Sequence, residues 1–377
     1  MKIGINALYL IPGRVGGSEI YLRRLLKGLA ALDRENEYAV FTNRESRGGL
    51  ELGPNFREYP CSVRARFRPQ RILWEQFLLP LRARKLKLDL LHSPGFTAPL
   101  LCPCPSVVTI LDLIYLNFPE TFPAPARMMM RFFTRRGAKR SAGVIALSGY
   151  SRDEMLWDLD LPPRKVRVIP LGAPEKESDG LSPERREEVL SRLLIAAPYI
   201  LTISAAHPHK NIFRLLEAFY QLRRKGMVHQ LVVVGVKHGR YFEELRQVLQ
   251  RLEIEKHVVF TGWIPEAEKE SILSGADLLV FPSLLEGFGL PVLEAMRFSV
   301  PVACSDVPSL LEVSGAAAYL FNPYSVEEIG RAMEVCLTMP DLRRDLIEKG
   351  RKQAANFSWE KTARLTLDLY NEIAKNK

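Results

Sequence analysis

Two carboxylates that lie eight positions apart, Glu286 and Glu294, are the residues of this sequence best suited to chemistry. They belong to the stretch SLLEGFGLPVLE, residues 283 to 294. Gly287 and Gly289 follow the first glutamate and allow the backbone to approach a ligand closely. The helix predicted to begin next would offer unpaired N–H groups and the positive end of its dipole, which suit a phosphate. The stretch therefore predicts an anion site with two acidic side chains beside it.

Carboxylates next to a phosphate would repel it unless they face another group, and hydroxyls are the obvious candidates. A carboxylate can accept hydrogen bonds from two vicinal hydroxyls at once. A sugar phosphate satisfies both halves of the site, so we expect the ligand to be one. The alternative is that Glu286 is an ordinary surface carboxylate and that Glu294 is a helix-start charge that interacts with the dipole. The flanking glycines favour the ligand-binding interpretation.

The elements that must position these residues follow a pattern of short apolar runs and longer amphipathic runs, which is typical of a parallel βα sheet. The first half of the chain predicts strands at 2–7, 38–42, 88–92, 107–111, 143–147 and 166–170, and SRDE at 151–154 fits a capping box that opens a helix. The second half predicts strands at 199–203, 231–234, 258–260, 277–281 and 300–305. It also predicts helices at 211–225, 241–252, 266–275, 326–338, 341–355 and 359–375.

Two such series of βα units divide the 377 residues into two domains. The segment 173–198 is rich in Gly, Pro, Ser and charge, which predicts a linker. We therefore expect one doubly wound domain over 1–172 and a second over 199–355. Ligands of such folds bind outside the carboxyl ends of the strands, so function is expected in the loops that follow strands.

With these motifs the sequence resembles the retaining glycosyltransferases of family four, which have the GT-B fold and the signature E-G-F-G-L-P-x-x-E. The resemblance covers nearly the whole chain and includes GGSE at 16–19, DLLHSP at 89–94, VIALSGYSRDEM at 144–155, HPHKN at 207–211, FTGWIP at 260–265 and CSDVPSLLEV at 304–313. It implies an α/β fold of two Rossmann-like domains that face each other across a cleft. It also implies that a C-terminal helix, within 356–377, packs back on the first domain.

The resemblance implies roles for the matching residues. Glu286 would contact the hydroxyls of the donor hexose near the reacting carbon, and Glu294 would hold the ribose hydroxyls of the nucleotide. Lys210 would neutralise the diphosphate, whose charge grows as the glycosidic bond breaks, unless it is only a solvated loop lysine. The remaining donor-binding positions would cradle the phosphate oxygens with backbone N–H groups: Gly287, Phe288, Gly289, Leu290, Gly16 and Gly17. The last two glycines also have a simpler interpretation, which is that they permit the turn into a helix.

The reaction implied by the resemblance is transfer of a hexose from a nucleotide diphosphate sugar to a hydroxyl, with retention of anomeric configuration. The resemblance suggests mannose as the hexose. Neither a metal nor a cofactor is expected, because the donor phosphate helps to deprotonate the acceptor. The expected donor is a GDP- or UDP-sugar. The expected acceptor is a glycan or lipid-linked glycan of a bacterial surface polysaccharide or lipopolysaccharide. The one D-x-D sequence, Asp158-Leu-Asp160, is interpreted as a solvated helix end rather than a metal site.

Two positions depart from the family pattern. Leu111 stands where the family commonly has a histidine near the reacting sugar. Asp112 follows it and is the expected acceptor-side catalytic residue, with a structural cap at its turn as the alternative. His209 stands where the family commonly has an arginine at the diphosphate, and a histidine is mostly neutral at pH 7. Arg14, in the N-terminal glycine loop, is a candidate to supply the missing charge. The departures also suggest a competing class, a non-catalytic sugar-nucleotide-binding or scaffolding subunit.

The positive charge is concentrated in the first half of the chain. Residues 1–150 hold 23 Lys and Arg against 11 Asp and Glu, a net charge of +12, whereas residues 151–377 hold 30 against 32, a net charge of −2. Two stretches, 64–87 and 127–140, mix cations with large apolar residues. Such stretches lie on anionic bilayers or form core helices with a basic outer face. Nucleic acid would also attract this charge, but no nucleic-acid motif is present, so an anionic membrane surface is the preferred partner.

Other features of the sequence indicate the compartment. The longest stretch without Asp, Glu, Lys or Arg, 90–111, contains four prolines and is not expected to span a membrane. The start, MKIGINALYL, predicts a buried strand rather than a signal peptide. The five cysteines are odd in number and lack metal-site spacing, which favours a reducing compartment. We therefore expect a cytoplasmic protein at the inner face of the cytoplasmic membrane.

Overall fold

The computed structural model describes residues 1–174 and 182–375. The chain forms two compact units, of which the first comprises Met1–Gly172 and Ser358–Lys377 and the second comprises Ala173–Phe357. Part of the predicted linker, residues 175–181, lies outside the described residues. No helix within the described ranges is both long and apolar enough to cross a membrane.

The first unit is built on a parallel sheet. Its described residues form seven strands in the spatial order β3-β2-β1-β4-β5-β6-β7. The strands are β1 Lys2–Asn6, β2 Glu37–Thr42, β3 Phe56–Pro60, β4 Leu90–Ser93, β5 Ser106–Thr109, β6 Gly143–Ala146 and β7 Val166–Val168. The order reverses between β1 and β4, so their carboxyl ends flank the switch point at which such sheets bind ligands.

The predicted strands of this unit are confirmed with ends shifted by at most two residues, but β3 is absent from the prediction. Its sequence, FREYP, has two adjacent charged residues, Arg57 and Glu58, and lacks the continuous apolar run of a central parallel strand. β3 lies at the edge of the sheet, where such a run is not needed. It pairs in register with β2, and the stacked rings of Tyr38 and Phe56 lie 4.2 Å apart between centroids.

Helices connect the strands of the first unit. They are α1 Gly17–Leu32, α2 Arg68–Leu73, α3 Leu79–Lys85, α4 Ile114–Asn117, α5 Ala124–Arg140 and α6 Gly149–Asp158. A π-helical turn, Trp74–Leu78, joins α2 directly to α3. The capping-box prediction for α6 is wrong, since the helix begins before Ser151. Ser148 is the N-cap, and its hydroxyl accepts a hydrogen bond from the backbone N–H of Ser151 at 3.0 Å.

The second unit repeats this plan. Its described residues form six parallel strands in the order β10-β9-β8-β11-β12-β13. The strands are β8 Tyr199–Ile203, β9 Gln230–Val234, β10 Val258–Gly262, β11 Leu278–Phe281, β12 Val302–Ser305 and β13 Tyr319–Phe321. The edge strand β13 is absent from the prediction because three residues are too few to show a period. The order reverses between β8 and β11, which therefore flank the second switch point.

The helices of the second unit are α7 Pro183–Arg192, α8 Ile212–Arg224, α9 Arg240–Leu252, α10 Glu266–Gly275, α11 Leu290–Arg297, α12 Pro308–Ser314, α13 Val326–Thr338 and α14 Pro340–Ala354. α7 lies inside the segment predicted as a linker, so that segment is partly helical. Ser182 caps it by accepting a hydrogen bond from the N–H of Arg185. The apolar face of α8, including Leu215 and Phe219, is completely buried in the core of this unit.

The last helix, α15 Trp359–Lys375, belongs to the first unit and packs on α1. A Cβ on Gly28 of α1 would lie 3.2 Å from a backbone oxygen of α15, so the glycine permits close packing. The buried ring of His92 bridges the sheet and this helix: its Nδ1 bonds to the Tyr370 hydroxyl at 2.5 Å and its Nε2 to the Thr109 hydroxyl at 2.8 Å. His92 is therefore a packed core histidine.

Candidate active site

The candidate site lies in the loops that follow β8 and β11. These strands are neighbours in the sheet, but the chain leaves them toward opposite edges, β8 toward β9 and β11 toward β12. Their carboxyl ends consequently leave room between the outgoing loops, as at other topological switch points. Lys210 is carried by the loop after β8, and Glu286 by the loop after β11.

Asn211 links the loop after β8 to the loop after β11 through hydrogen bonds. It follows a 3-10 turn, Pro208–Lys210, and adopts a left-handed conformation with φ of 59°, which asparagine tolerates better than most residues. Its side-chain amide donates to the backbone oxygen of Pro282 at 3.0 Å and to that of Pro323 at 2.7 Å. The N–H of Leu284 also donates to the His209 oxygen at 2.7 Å. The sequence prediction includes Asn211 only as part of a motif and gives it no role.

Lys210 and Glu286 form an ion pair at the centre of the site. The lysine Nζ lies 2.5 Å from Oε1 of Glu286, and the two side chains are only 16% and 10% exposed. The same ammonium lies 5.3 Å from the ring centroid of Phe281, the last residue of β11. Charge-assisted hydrogen bonds in such a partly dry setting are strong, so the two groups define each other's position.

The glycine loop leads from Glu286 into α11. Gly289 has φ of 100°, and an added Cβ would collide with the Leu310 side chain, so the loop requires glycine here. Phe288 is buried, and its ring packs edge-on against Phe357 at 6.0 Å. No side chain of the described residues caps the start of α11. The amides around Gly287 and Leu290 thus form a helix start that is suited to an anion.

Glu294 lies on the buried side of α11 and is paired with a residue that the sequence prediction missed. Lys269 of α10 places its Nζ 2.8 Å from Oε1 of Glu294 and 2.8 Å from Oε1 of Glu266. The Lys269 and Glu294 side chains are 10% and 4% exposed. Burial alone would lower the pKa of Lys269, but the two carboxylates outweigh it and raise that pKa. The ammonium therefore holds Glu294 in place as a carboxylate.

His209 is buried next to Lys210 and does not provide a second cation at the Lys210–Glu286 pair. Burial lowers its pKa to about 3, and the neighbouring charges of Lys210 and His207 act in the same direction. The His207 ring stacks on it at 5.6 Å, and its pKa is also lowered, first by burial and then by Lys210. His209 is thus neutral at pH 7, as the sequence leads us to expect.

The remaining predicted residues belong to the first unit. Gly16 has φ of 54° and precedes α1, whose first residue is Gly17, and the space where either Cβ would lie is open. Asp112 accepts a hydrogen bond from the N–H of Ile114 at 3.1 Å, which gives it a local capping role. Leu111 before it is buried.

The D-x-D sequence ends in a salt bridge. The Asp160 carboxylate lies 2.6 Å from Nζ of Lys139 and is 73% exposed. It is therefore a solvated helix-end carboxylate held by a cation. Across residues 1–174 and 182–375 there is no group of three His, Cys, Asp or Glu arranged to bind a metal.

Together, two doubly wound parallel sheets and a switch-point site of paired carboxylates and lysines define a glycosyltransferase with the GT-B fold. The chain belongs to glycosyltransferase family 4: the family model "Glycosyltransferase Family 4" matches residues 15–176, and "Glycosyl transferases group 1" matches residues 191–353.

Individual proteins resemble the chain over almost its full length. The O-antigen chain mannosyltransferase B of Escherichia coli is 27% identical over 373 residues, which are 98% of this chain and 95% of that protein. The solved structure of sucrose-phosphate synthase from Thermosynechococcus elongatus superposes with a TM-score of 0.80 at 19% identity, covering 100% of both chains. That of Anabaena Alr3699/HepE in complex with UDP-glucose gives 0.75 at 18% identity, covering 99% of this chain and 100% of the other.

Proposed function

We propose that the protein transfers a hexose from a nucleotide diphosphate sugar to a hydroxyl of a glycan or lipid-linked acceptor in the synthesis of a bacterial surface polysaccharide or lipopolysaccharide. The single observation that carries this proposal is the Lys210–Glu286 pair, 2.5 Å apart at the switch point of the second sheet. A cation and a carboxylate so placed, beside an uncapped helix start, match a ligand that is anionic at one end and rich in hydroxyls at the other.

Donor binding would exchange the partners of this pair. The diphosphate offers Lys210 a stronger anion than one carboxylate, and the hexose hydroxyls offer Glu286 donors in place of the ammonium. The amides at the start of α11 would hold phosphate oxygens. Because each protein group already stands in its binding position, little reorganisation is needed when the donor arrives.

Glu294 would accept hydrogen bonds from the two ribose hydroxyls. A carboxylate has about four lone-pair positions, so it can keep its contact with Lys269 and still bind a diol. The pair is almost completely buried, which strengthens hydrogen bonds to a charged group. A nucleoside seated there fixes the diphosphate next to Lys210 along the same chain of covalent bonds.

In the reaction, the bond between the anomeric carbon and the β-phosphate oxygen breaks, and a bond to the acceptor oxygen forms on the same face of the sugar. The acceptor proton passes to the departing phosphate, so the products are the retained glycoside and the nucleoside diphosphate. Negative charge grows on that phosphate in the transition state, where Lys210 and the helix amides stabilise it more than in the ground state. The scheme uses no metal or cofactor, and Asp112 serves the acceptor side.

Mannose is the proposed sugar, since the similar E. coli protein is an O-antigen chain mannosyltransferase. The donor base is guanine or uracil; a protein of the same fold is known in complex with UDP-glucose. We further propose that the enzyme works in the cytoplasm at an anionic membrane face. The five cysteines, all within the described residues, form no disulfide, which suits a reducing compartment.

The test is donor hydrolysis and transfer by Glu286→Gln and Lys210→Met. Removing one preorganised electrostatic group is expected to lower kcat roughly 100- to 1,000-fold. The matched control is Lys225→Met, which breaks an exposed ion pair of the same length with Glu334 in the same unit and leaves kcat unchanged. Thermal shifts with GDP, UDP and ADP identify the base, because a ligand stabilises the state that binds it. Unchanged turnover in both site variants would reject the proposal.

A further inference from the structure

The segment from Arg68 to Lys85, which comprises α2, the π-helical turn and α3 and is called here the basic segment, carries an apolar outer face. Phe67 beside it, and Leu73, Phe77, Leu78 and Leu81 within it, are between 46% and 66% exposed. Single exposed apolar residues are ordinary on a protein surface. Five large ones within fifteen residues form a patch that usually marks a binding surface.

Core packing accounts only for the inner face of the basic segment. Trp74, Leu79 and Ala83 are buried there. Glu75, in the π-helical turn, is also buried and accepts hydrogen bonds from the Asn6 amide at 3.2 Å and the Thr97 hydroxyl at 3.1 Å. Asn6 ends β1 and Thr97 lies in the loop after β4, so the segment is fixed next to the switch point of the first sheet. The outer apolar face requires another explanation.

Two adjoining cavities lie along this face. The first, the arginine pocket, has a volume of about 470 Å³ and is lined by Arg44, Ser62, Arg64, Phe67 and Gln70. The second, the apolar pocket, has a volume of about 270 Å³ and is lined by Ser62, Trp74, Leu78, Leu81, Arg82 and Lys85. Arg44 follows the end of β2 and Ser62 the end of β3, so both cavities open at the carboxyl edge of the sheet, where ligands of such folds bind.

The pockets are strongly cationic. Four cations and no carboxylate are among their lining residues. Among the described residues, the guanidinium groups of Arg44 and Arg64 have no salt-bridge or hydrogen-bond partner. The nearby carboxylate of Glu45 accepts hydrogen bonds from the amides of Ala65 and Arg66. Burial raises the pKa of Glu75, the one acidic residue of the basic segment.

We propose that the arginine pocket binds the phosphate of an anionic lipid and that the apolar pocket holds the start of its hydrocarbon chain. Arg44 and Arg64 supply planar donors that match phosphate oxygens. Trp74, Leu78 and Leu81 then follow the chain toward the exposed face, which enters the bilayer interface. The inference rests on the proposed function, because it makes the acceptor a hydroxyl-bearing group that is carried on a lipid phosphate, and this phosphate binds at the sheet edge of the first unit.

An apolar half distinguishes this site from one for a free anion or a nucleic acid. Inorganic phosphate and a phosphodiester backbone would use the arginines but leave Leu78 and Leu81 without a partner. A lipid phosphate uses both parts, and a membrane also covers the exposed Phe77. The charge and the apolar surface therefore agree on one class of ligand.

The first experiment measures co-sedimentation of the full chain with vesicles of phosphatidylcholine, alone or mixed with phosphatidylglycerol. We expect binding only to the mixed vesicles and a roughly 30-fold weaker partition for Arg44→Gln/Arg64→Gln, from two charges near the surface. The control, Arg34→Gln/Lys361→Gln, removes the same charge from exposed positions of the same unit that line neither pocket. It should bind within about threefold of the unchanged protein. Equal losses in both double variants, or none in the first, would overturn the assignment.

The second experiment compares thermal stabilisation by a short-chain phosphatidic acid, below its micelle concentration, with that by inorganic phosphate. The lipid should stabilise the unchanged protein and not Arg44→Gln/Arg64→Gln or Leu81→Ser. Equal stabilisation by inorganic phosphate would overturn the lipid assignment, as would equally tight binding of a single-stranded oligonucleotide. Donor hydrolysis should be unchanged in the pocket variants. Glu286→Gln should still bind mixed vesicles, so a failure of the proposed function and a failure of this inference give different results.

Discussion

Replacing Lys269 by methionine tests how the buried end of the site is held together. The substitution keeps the length and apolar stem of the side chain and removes an ammonium that lies 2.8 Å from both Glu294 and Glu266. Glu294 is 4% exposed on its side chain, so water cannot replace the lost partner. We expect the carboxylate to be destabilised and to take up a proton at a higher pH than before.

The size of the expected loss in stability follows from the burial of the Lys269–Glu294 pair. Removing one partner of a buried ion pair costs about 3–5 kcal/mol, because the other charge remains without compensation. For a unit of this size, that cost lowers Tm by roughly 6–20 °C. The loss of an ionised acceptor for the ribose hydroxyls should weaken nucleotide binding roughly 10- to 100-fold. Lys269→Met/Glu294→Gln leaves no buried charge at this pair and should recover about 2 kcal/mol of the loss.

The assay is chemical denaturation of the four proteins of this double-mutant cycle, with nucleotide affinity measured by thermal shift. Lys349→Met is the control, since it breaks an exposed pair with Asp345 and should cost less than about 0.5 kcal/mol. Lys269→Arg should retain most of the stability, because it preserves the charge. A Tm of Lys269→Met within about 2 °C of the unchanged protein, together with unchanged nucleotide affinity, would refute the reasoning.

Three further predictions concern other parts of the chain. Burial raises the pKa of Glu154 to about 7, so between pH 4.5 and 7 the native state holds a proton that the unfolded chain has lost. The free energy of unfolding should therefore fall by about 1–2 kcal/mol as pH rises through this range, once the partial exposure of Glu154 is allowed for. Glu154→Gln should flatten the profile of Tm against pH. Gly289→Ala should cost about 1–3 kcal/mol in denaturant unfolding and slow transfer, and should cost more than Gly239→Ala, which has a similar φ but open space around it. Tyr370→Phe removes a hydrogen bond to buried His92 and should cost about 1–3 kcal/mol in the same unfolding assay.

The strands that carry the site could be predicted from the sequence because central parallel strands are buried on both faces. For this reason Leu278–Phe281 is a continuous apolar run, and Tyr199–Ile203 is apolar apart from Thr202. Lys210 and Glu286 stand out because each follows such a run and the second is flanked by glycines. The edge strand Phe56–Pro60 carries no comparable run, since only Phe56 among its five residues is buried. What the sequence reveals is therefore the buried centre of each sheet and the loops that leave it.

Lys269 could not be predicted because its partner Glu294 lies 25 residues away, and a buried lysine in an amphipathic helix looks the same as a solvated one. The role of Asn211 could not be predicted either, since its two backbone partners, Pro282 and Pro323, lie in loops that are distant in the sequence. The sequence alone also did not decide whether residues 64–87 form a core helix or a membrane-binding surface. The structure contains both a buried and an exposed apolar face there, because the π-helical turn presents Trp74 inward and Phe77 outward. Such residues become visible only when the fold brings distant segments together.

The division of the first unit into Met1–Gly172 and Ser358–Lys377 has a consequence for how the chain folds during translation. Its sheet leaves the ribosome early, whereas α15, which closes over Gly28 and bonds to His92, leaves only after the whole intervening unit has been made. Until then, an apolar surface of the nascent sheet remains uncovered and vulnerable to aggregation. Completion of the first unit is therefore coupled to completion of the second, and a ribosome that stalls between residues 173 and 357 releases a product that lacks its closing helix.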